Sequence, residues 1–487
     1  MGDTAPANHG RKACLNQKAL ALYHGLPWPV RSLAASIRGF RLRWQRYGPN
    51  TDRLVREARQ RERWSDSEWA AWQHDRLHHV LHHAITYVPY YREQWAERRR
   101  QGDHSPWEEL QNWPVLEKES VRRQPRRFLA EDVNPRGLLE THTSGSTGTP
   151  LTLWNTRPGE ESWYALFEAH CRHWYGVSRR DRWAILGGQL VTPVARRQPP
   201  FWVWNAGLSQ LYMSTYHLAS DLIPHYLAAL VRYRVCYLLG YPSALHLLAQ
   251  AALVERRGDL KLQVVIANAE PLQDYQRSVI AEAFHCPVRE TYGMSERVAA
   301  ASECEHGRLH LWPEAGRLEV LHRNGPVEAG EVGDFVCTGL VNSVMPLIRY
   351  RVGDRGAIDA SGSECPCGRT LPRLAEIEGR SDDLLCTADG RRIGRLDPVF
   401  KAGWPIREAQ VIQESLAAIR VRLVPSDGFD EVIQEEVARQ LRARLGNVTV
   451  EFEKVSEIPR GANGKFRSVI CNLSAAEKER LQLRTMV

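Results

Sequence analysis

Apolar residues along the chain change period from region to region, and the changes divide it. Between residues 68 and 92 (EWAAWQHDRLHHVLHHAITYVPYYR), Trp72, Leu77, Leu81 and Ile85 recur on one helical face, with Pro89 as the stop. Upstream, over 31–48 (RSLAASIRGFRLRWQRYG), Leu33, Ile37, Phe40 and Leu42 keep near-helical spacing with Arg31, Arg38, Arg41 and Arg43 interleaved. From 150 to 300, helical stretches alternate with short apolar runs: RWAILGG (182–188), VCYLLG (235–240) and LQVVIANAE (262–270). Each run closes on a glycine or a polar turn, which predicts an α/β layout with ligands gathering where strands end. Over 316–360, GRLEVLH, GDFVCTGL and PLIRYRVGDRGAID read as short strands with glycine turns and predict a smaller β-rich subdomain.

The last hundred residues have their own pattern. Ile419, Val421 and Leu423 alternate with Arg420 and Arg422 as a half-buried strand. Ile433, Val437, Leu441 and Leu445 then mark a helix face that stops at Gly446, and Val448, Val450 and Phe452 alternate again. The division expected is a basic helical extension over 1–67, a core over 68–380 and a small domain over 381–487.

Composition narrows the classes. A chain of 487 residues exceeds one typical core, and 43% hydrophobic with 25% charged residues is ordinary for a globular protein. No run approaches the roughly 18 uncharged apolar residues of a membrane span, and the N-terminus shows neither a secretory signal nor a myristoylation motif. The ten cysteines are scattered apart from Cys365 and Cys367, which excludes a disulfide scaffold and points to a cytoplasmic protein. The net charge of +8 comes mainly from arginines in the first 130 residues. For 31–48 two readings stand: a helix on an anionic membrane surface, giving peripheral membrane contact, or an arginine-rich helix packed on the main body. No nucleic-acid-binding signature is present. His78, His79, His82 and His83 pair at i,i+4, a metal-ligand spacing without a third ligand nearby.

The chemistry is carried by six short stretches in order: TSGSTGTP (143–150), NAEP (268–271), ETYGMSE (290–296), IRYRVGDRG (348–356), EGRSDD (378–383) and RGANGKFR (460–467). The first can wrap anionic oxygens with amides and hydroxyls, but it is not a P-loop, since no lysine follows its glycines. Together the six resemble the adenylate-forming superfamily of acyl-CoA synthetases and ligases. YGMSE, MPLIRYRVGDRG and CPCGR draw the resemblance towards the phenylacetate-CoA ligase and capsular-polysaccharide (CapK-like) branch, and it spans the chain from about residue 70 onward.

The resemblance implies an α/β fold with a large multi-subdomain N-terminal domain and a small, mobile α+β C-terminal domain. It implies that a carboxylate attacks the α-phosphorus of ATP to give an acyl-adenylate, which a thiol or amine then receives. By motif, Ser144, Gly145, Ser146, Thr147 and Gly148 would hold the phosphates. Ala269, Glu270 and Pro271 would line the adenine, with Tyr292 and Gly293 beside it. Glu296 would coordinate Mg2+, Asp354 would accept the ribose hydroxyls, and Arg380 would assist at the ribose or phosphate. Lys465 would be the catalytic cation and Asp382 the hinge on which the small domain turns. Thr149 stands where many relatives place a lysine.

A second constellation joins ECEHGRLH (303–310) to ECPCGR (364–369). Cys304, His310, Cys365 and Cys367 offer three sulfurs and an imidazole, a set that suits structural Zn2+, with His306 as an alternative to His310. Trp202, Trp204, Tyr212, Tyr216 and His217 are candidates for an acyl pocket or for ordinary core. Three functions remain: a carboxylate-CoA ligase using ATP, Mg2+ and CoA; a ligase that transfers the acyl group to an amine; and a non-catalytic scaffold. A homodimer is compatible with the sequence.

Overall fold

The computed structural model describes the chain except residues 1–21, 144–150, 378–384, 401–403, 459–468 and 478–487 and a few positions elsewhere (194, 220, 271, 273, 323, 324, 329, 394, 395, 457, 475 and 476). It opens with four helices, α1 (Trp28–Arg46), α2 (Thr51–Arg61), α3 (Asp66–Tyr87) and α4 (Pro89–Arg100). Ser65 starts α3 with a reciprocal capping box to Glu68, and Pro89 ends it by opening α4. Leu77, Val80, Leu81 and Ala84 of α3 pack into a core with Tyr91, Trp95 and Trp113. Among the described residues the paired histidines gather no third ligand: His83 bonds Asp132 at 3.0 Å, and His78 and His82 lean on Trp107.

One 13-stranded sheet organises the body. Its parallel part comprises β1 (Trp183–Gly187), β3 (Gln210–Ser214), β4 (Tyr237–Gly240), β5 (Val264–Asn268) and β6 (Val288–Gly293), in the order β3-β1-β4-β5-β6, with β2 (Trp202–Asn205) antiparallel on the edge. The runs YLLG and VVIA are buried throughout because helices cover both faces, so they lack the alternation of a half-exposed strand. The helices α5 (Arg157–Phe167), α6 (Ile223–Arg232), α7 (Pro242–Val254) and α8 (Asp274–Phe284) complete this part.

The β-rich segment is not a separate subdomain. β7 (Ala300–Glu303), β8 (Leu309–Leu311), β9 (Gly316–His322), β10 (Gly333–Gly339), β11 (Tyr350–Ile358) and β12 (Arg373–Ile377) extend the same sheet antiparallel, in the order β9-β10-β11-β12-β8-β7-β6, and the two-residue strand Gly325–Pro326 pairs with β9 at the outer edge as the thirteenth. Edge pairing between strands distant in sequence leaves no local mark, so periodicity alone separates what hydrogen bonds join. The β12–β8 pairing is short, with only Leu309 opposite Leu374 and His310 opposite Arg373.

The terminal unit is a four-stranded sheet of β13 (Ile406–Ser415), β14 (Ala418–Pro425), β15 (Thr449–Lys454) and β16 (Val469–Cys471), with α9 (Glu431–Leu445) crossing between the parallel strands β14 and β15. Ile419, Val421, Leu423, Val437, Leu441 and Leu445 are all buried, as their spacing predicts. Arg391 ties this unit to the body by donating to Tyr216 O at 2.6 Å and to Arg444 O at 2.9 Å. Tyr216 is therefore core, as are Trp202 and His217, whose Nε2 meets Pro193 O at 3.0 Å.

Helix α1 is seated on the body by a close backbone approach. A Cβ on Gly207, in the turn after β2, would lie 2.2 Å from Phe40 N, and one on Gly39 would lie 1.6 Å from Asn205 Oδ1. Arg31, fully buried, donates to Val191 O at 2.7 Å from the same side of the helix.

Candidate active site and metal centre

Among the described motif residues, Ala269 and Glu270 follow β5, and Tyr292 and Gly293 close β6, at the carboxyl ends of parallel strands where an α/β sheet leaves its crevice. After β5 the chain turns at Ala269, which holds φ at +66°, a left-handed conformation that a residue with a Cβ adopts at a cost. Next along the sheet, Glu290 of β6 lies beside Glu303. Burial and then that neighbouring carboxylate push the Glu290 carboxyl up to about 7.

Two hydrogen bonds tie the end of β6 and its following turn to β11. Tyr292 donates from its hydroxyl to Asp354 Oδ2 at 2.9 Å, and Tyr350 donates to Glu296 Oε1 at 3.0 Å. The expected adenine neighbour thus holds the expected ribose anchor, and the ring of Tyr292 packs edge-on against Phe335 of β10. Glu296 is buried to 6% side-chain exposure, and Lys118 Nζ meets the same Oε1 at 3.1 Å. Burial pushes its carboxyl upward, but the Lys118 ammonium and the two hydrogen bonds outweigh this and hold it below the usual range. The site therefore keeps an ionised carboxylate, with both contacts converging on one oxygen.

Sequence reasoning misses Lys118 and Tyr350. Tyr350 stands inside the motif IRYRVGDRG, where its hydroxyl is the signal that could have found it. Lys118 sits in a six-residue helix, Lys118–Arg123, with nothing local to mark it. Arg297, next to Glu296, pairs with Glu160 at 3.1 Å and spans the rings of Trp163 and Tyr164, so it anchors the turn to α5.

The second constellation is assembled as the sequence predicts. The ligand atoms of Cys304, His310, Cys365 and Cys367 all lie within 4.8 Å of one another. Cys304 Sγ and Cys365 Sγ are 3.7 Å apart, and Cys367 Sγ is 3.4 Å from His310 Nε2. A tetrahedron with Zn–S near about 2.3 Å and Zn–N near about 2.05 Å has edges of about 3.8 Å and about 3.6 Å, so the donor set fits. Leu371 O meets His310 Nδ1 at 3.1 Å and leaves Nε2 facing the sulfurs. Burial pushes the imidazole down to about 4, which keeps it neutral, as a ligand must be. His306 lies exposed in the turn between β7 and β8 and is not in the cluster.

Behind this cluster runs a buried charge network. His170, fully buried, donates to Glu62 Oε1 at 3.1 Å and to Glu314 Oε2 at 3.3 Å. Arg61 meets Glu314 at 3.0 Å. Arg369 meets Glu62 at 3.4 Å and Glu305 at 2.7 Å, and stacks 4.2 Å over Trp174. Burial favours a neutral His170, but the Glu314 and Glu62 carboxylates overcome it and raise its pKa to about 9.

Residues 385–472 match the family model described as the CapK C-terminal domain. Protein CapK of Staphylococcus aureus is 24% identical over 461 residues, covering 93% of this chain and 99% of that protein. The chain belongs to the adenylate-forming superfamily. Another relative within the superfamily, phenylacetate-coenzyme A ligase of Escherichia coli, is 26% identical over 66% of this chain and 73% of its own. A crystal structure of 2-hydroxyisobutyryl-CoA ligase with its acyl-adenylate and CoA shares the fold, at TM-score 0.55 and 22% identity, covering 87% of this chain and 94% of that one. In this adenylate-forming chain, Ser144 to Gly148, Pro271, Arg380, Asp382 and Lys465 lie outside the described residues. Ala269, Glu270, Tyr292, Gly293, Glu296 and Asp354 occupy the ends of β5 and β6 and the facing strand β11.

Proposed function

We propose that the protein is an ATP-dependent, AMP-forming carboxylate ligase whose acyl-adenylate passes to a thiol, coenzyme A being the acceptor that fits best. The observation that carries the reading is the pair of ties from β6 to β11. They hold a ribose-type anchor, Asp354 on β11, against Tyr292 at the end of β6, and an ionised carboxylate, Glu296 in the turn after β6, against Tyr350 of β11. A scaffold has no need to hold a buried carboxylate ionised, because an apolar residue at that position would be at least as stable.

Magnesium fits this donor set. Glu296 offers a hard carboxylate oxygen, and its contacts with Lys118 and Tyr350 both fall on Oε1. When bound, the ion would screen the triphosphate against the incoming carboxylate. Ser144 to Gly148 would supply amides and hydroxyls to the phosphates, and Ala269 to Pro271 would bound the adenine. Lys465 would place its ammonium at the α-phosphate, where negative charge builds as the adenylate forms. Asp382 would be the hinge that carries it in and out. Zinc in the Cys304, His310, Cys365 and Cys367 cluster would be structural, since four protein ligands leave no open position. A cytoplasmic setting, with ATP at hand and thiols kept reduced, suits this set of parts.

The test is ATP–pyrophosphate exchange across a panel of carboxylic acids, followed by product release on adding CoA or an amine. Exchange with one acid and release by CoA is the expected result. Release by an amine alone would move the acceptor to the amide-forming alternative, and no exchange with any acid together with no ATP binding would refute the ligase.

A further inference from the structure

Helix α1 is buried along one face and bare along the other. Its bare face carries Val30, Leu33, Ile37, Phe40 and Trp44, at intervals of three and four residues that place them in a single stripe about 20 Å long. Ile37 is 64% exposed, Leu33 60% and Trp44 58%. With Leu22 just upstream, this short stretch holds most of the large apolar side chains that the described residues leave exposed. The stripe is no free-floating amphipath, because the Gly39 and Gly207 contact and the buried Arg31 fix the opposite face to the body.

We infer that this face of α1 docks on the surface of an anionic lipid bilayer, lying in the interface plane. Charge selects that occupant. Arg38, Arg41 and Arg43 stand exposed beside the stripe, and the sequence has no Asp or Glu from residue 4 to residue 51. An apolar stripe with aromatic residues, flanked by arginines and free of acids, is the composition of an interfacial helix on anionic lipid. A second copy of the chain would bring these arginines against their own counterparts. The preceding segment, 1–21, would do the same, since it adds Arg11, Lys12 and Lys18 and has Asp3 as its only acid. No helix among the described residues is long and apolar enough to cross a membrane, so the contact is peripheral. Docking of this face does not depend on the ligase reading.

Vesicle flotation with the full chain tests it, using phosphatidylcholine alone and phosphatidylcholine mixed with phosphatidylglycerol. The expected result is partitioning at least about tenfold stronger on the anionic vesicles, weakening as salt is raised. The double variant Ile37→Glu/Phe40→Glu should lose at least about tenfold of that binding. Its far-ultraviolet circular dichroism and melting temperature should be unchanged, because both side chains are exposed. Failure to bind the anionic vesicles, equal binding to both vesicle types, or undiminished binding by a folded double variant would overturn the proposal. So would a soluble dimer, seen by sedimentation, that the double variant converts to monomer.

Discussion

Replacing His170 by Gln tests the buried network behind the Cys/His cluster, and the size of the effect follows from the structure. A folded pKa of about 9 against an ordinary value of 6.5 corresponds to about 3 kcal/mol of stabilisation of the protonated ring. Because the folded value is raised, that stabilisation is fully present below about pH 6.5, declines as the pH climbs, and is gone above about 9. At neutral pH the imidazolium completes a balance in which His170, Arg61 and Arg369 face Glu62, Glu314 and Glu305, and the neutral amide of the His170→Gln variant would leave one carboxylate in excess. Unfolding in urea should show the variant less stable by about 3 kcal/mol at about pH 6 to 7, with the gap closing towards about pH 10. The ring nitrogen shifts of His170 in the wild-type protein should titrate near about pH 9. A gap that stays constant across that whole pH range, or a ring that titrates near its ordinary value, would refute the reasoning.

Further outcomes are expected at the candidate site. Lys118→Met removes the ammonium from a carboxylate that is nearly buried, so the Glu296 carboxyl rises; pyrophosphate exchange should fall by about tenfold to a hundredfold at neutral pH, with its acidic limb moved to higher pH. An unmoved limb would exclude the coupling. Lys465→Ala should abolish adenylate formation while ATP binding by calorimetry stays intact, and an unchanged exchange rate would sink the assignment. Metal analysis of the purified protein should find about one equivalent of zinc, and Cys365→Ser should lose it together with part of the thermal stability; a metal-free protein with an unchanged melt would show that the four ligands are ordinary reduced side chains.

Much of this is legible where physics is local. The helix over 66–87 and the terminal strand–helix–strand announce themselves because a single buried face imposes a period, as Leu77 and Leu81 or Val437 and Leu441 show. The Cys/His cluster is legible because the chemistry of its donors restricts what they can do, although choosing His310 over His306 needs the turn at Gly307 to place one inward and the other outward. Residues that act by meeting a distant partner stay hidden. Lys118 is 178 positions from Glu296, and His170 is 108 from Glu62, so nothing in either neighbourhood announces the pair. The two readings of 31–48 do not exclude each other: the helix packs on the body through Gly39 and Arg31 and still presents an apolar edge, because two faces of one helix can have different neighbours.

The two-residue seam between β12 and β8 has a consequence for how the chain folds. On one side of it lie strands joined by nearby antiparallel partners, which can form early. On the other lie parallel strands that need whole helical crossovers before they pair, and such pairing is slow. In the ladder the halves meet through Leu309 and His310 opposite Leu374 and Arg373, beside the Tyr292–Asp354 and Tyr350–Glu296 bonds that also cross between them, and the Cys304 to Cys367 clip straddles that junction. Joining them is thus the natural last event, with too few ladder bonds to hold it alone. If the clip carries zinc, the supply of metal during synthesis would govern when the sheet becomes continuous, and hydrogen exchange in a chelated sample would enter the sheet there first.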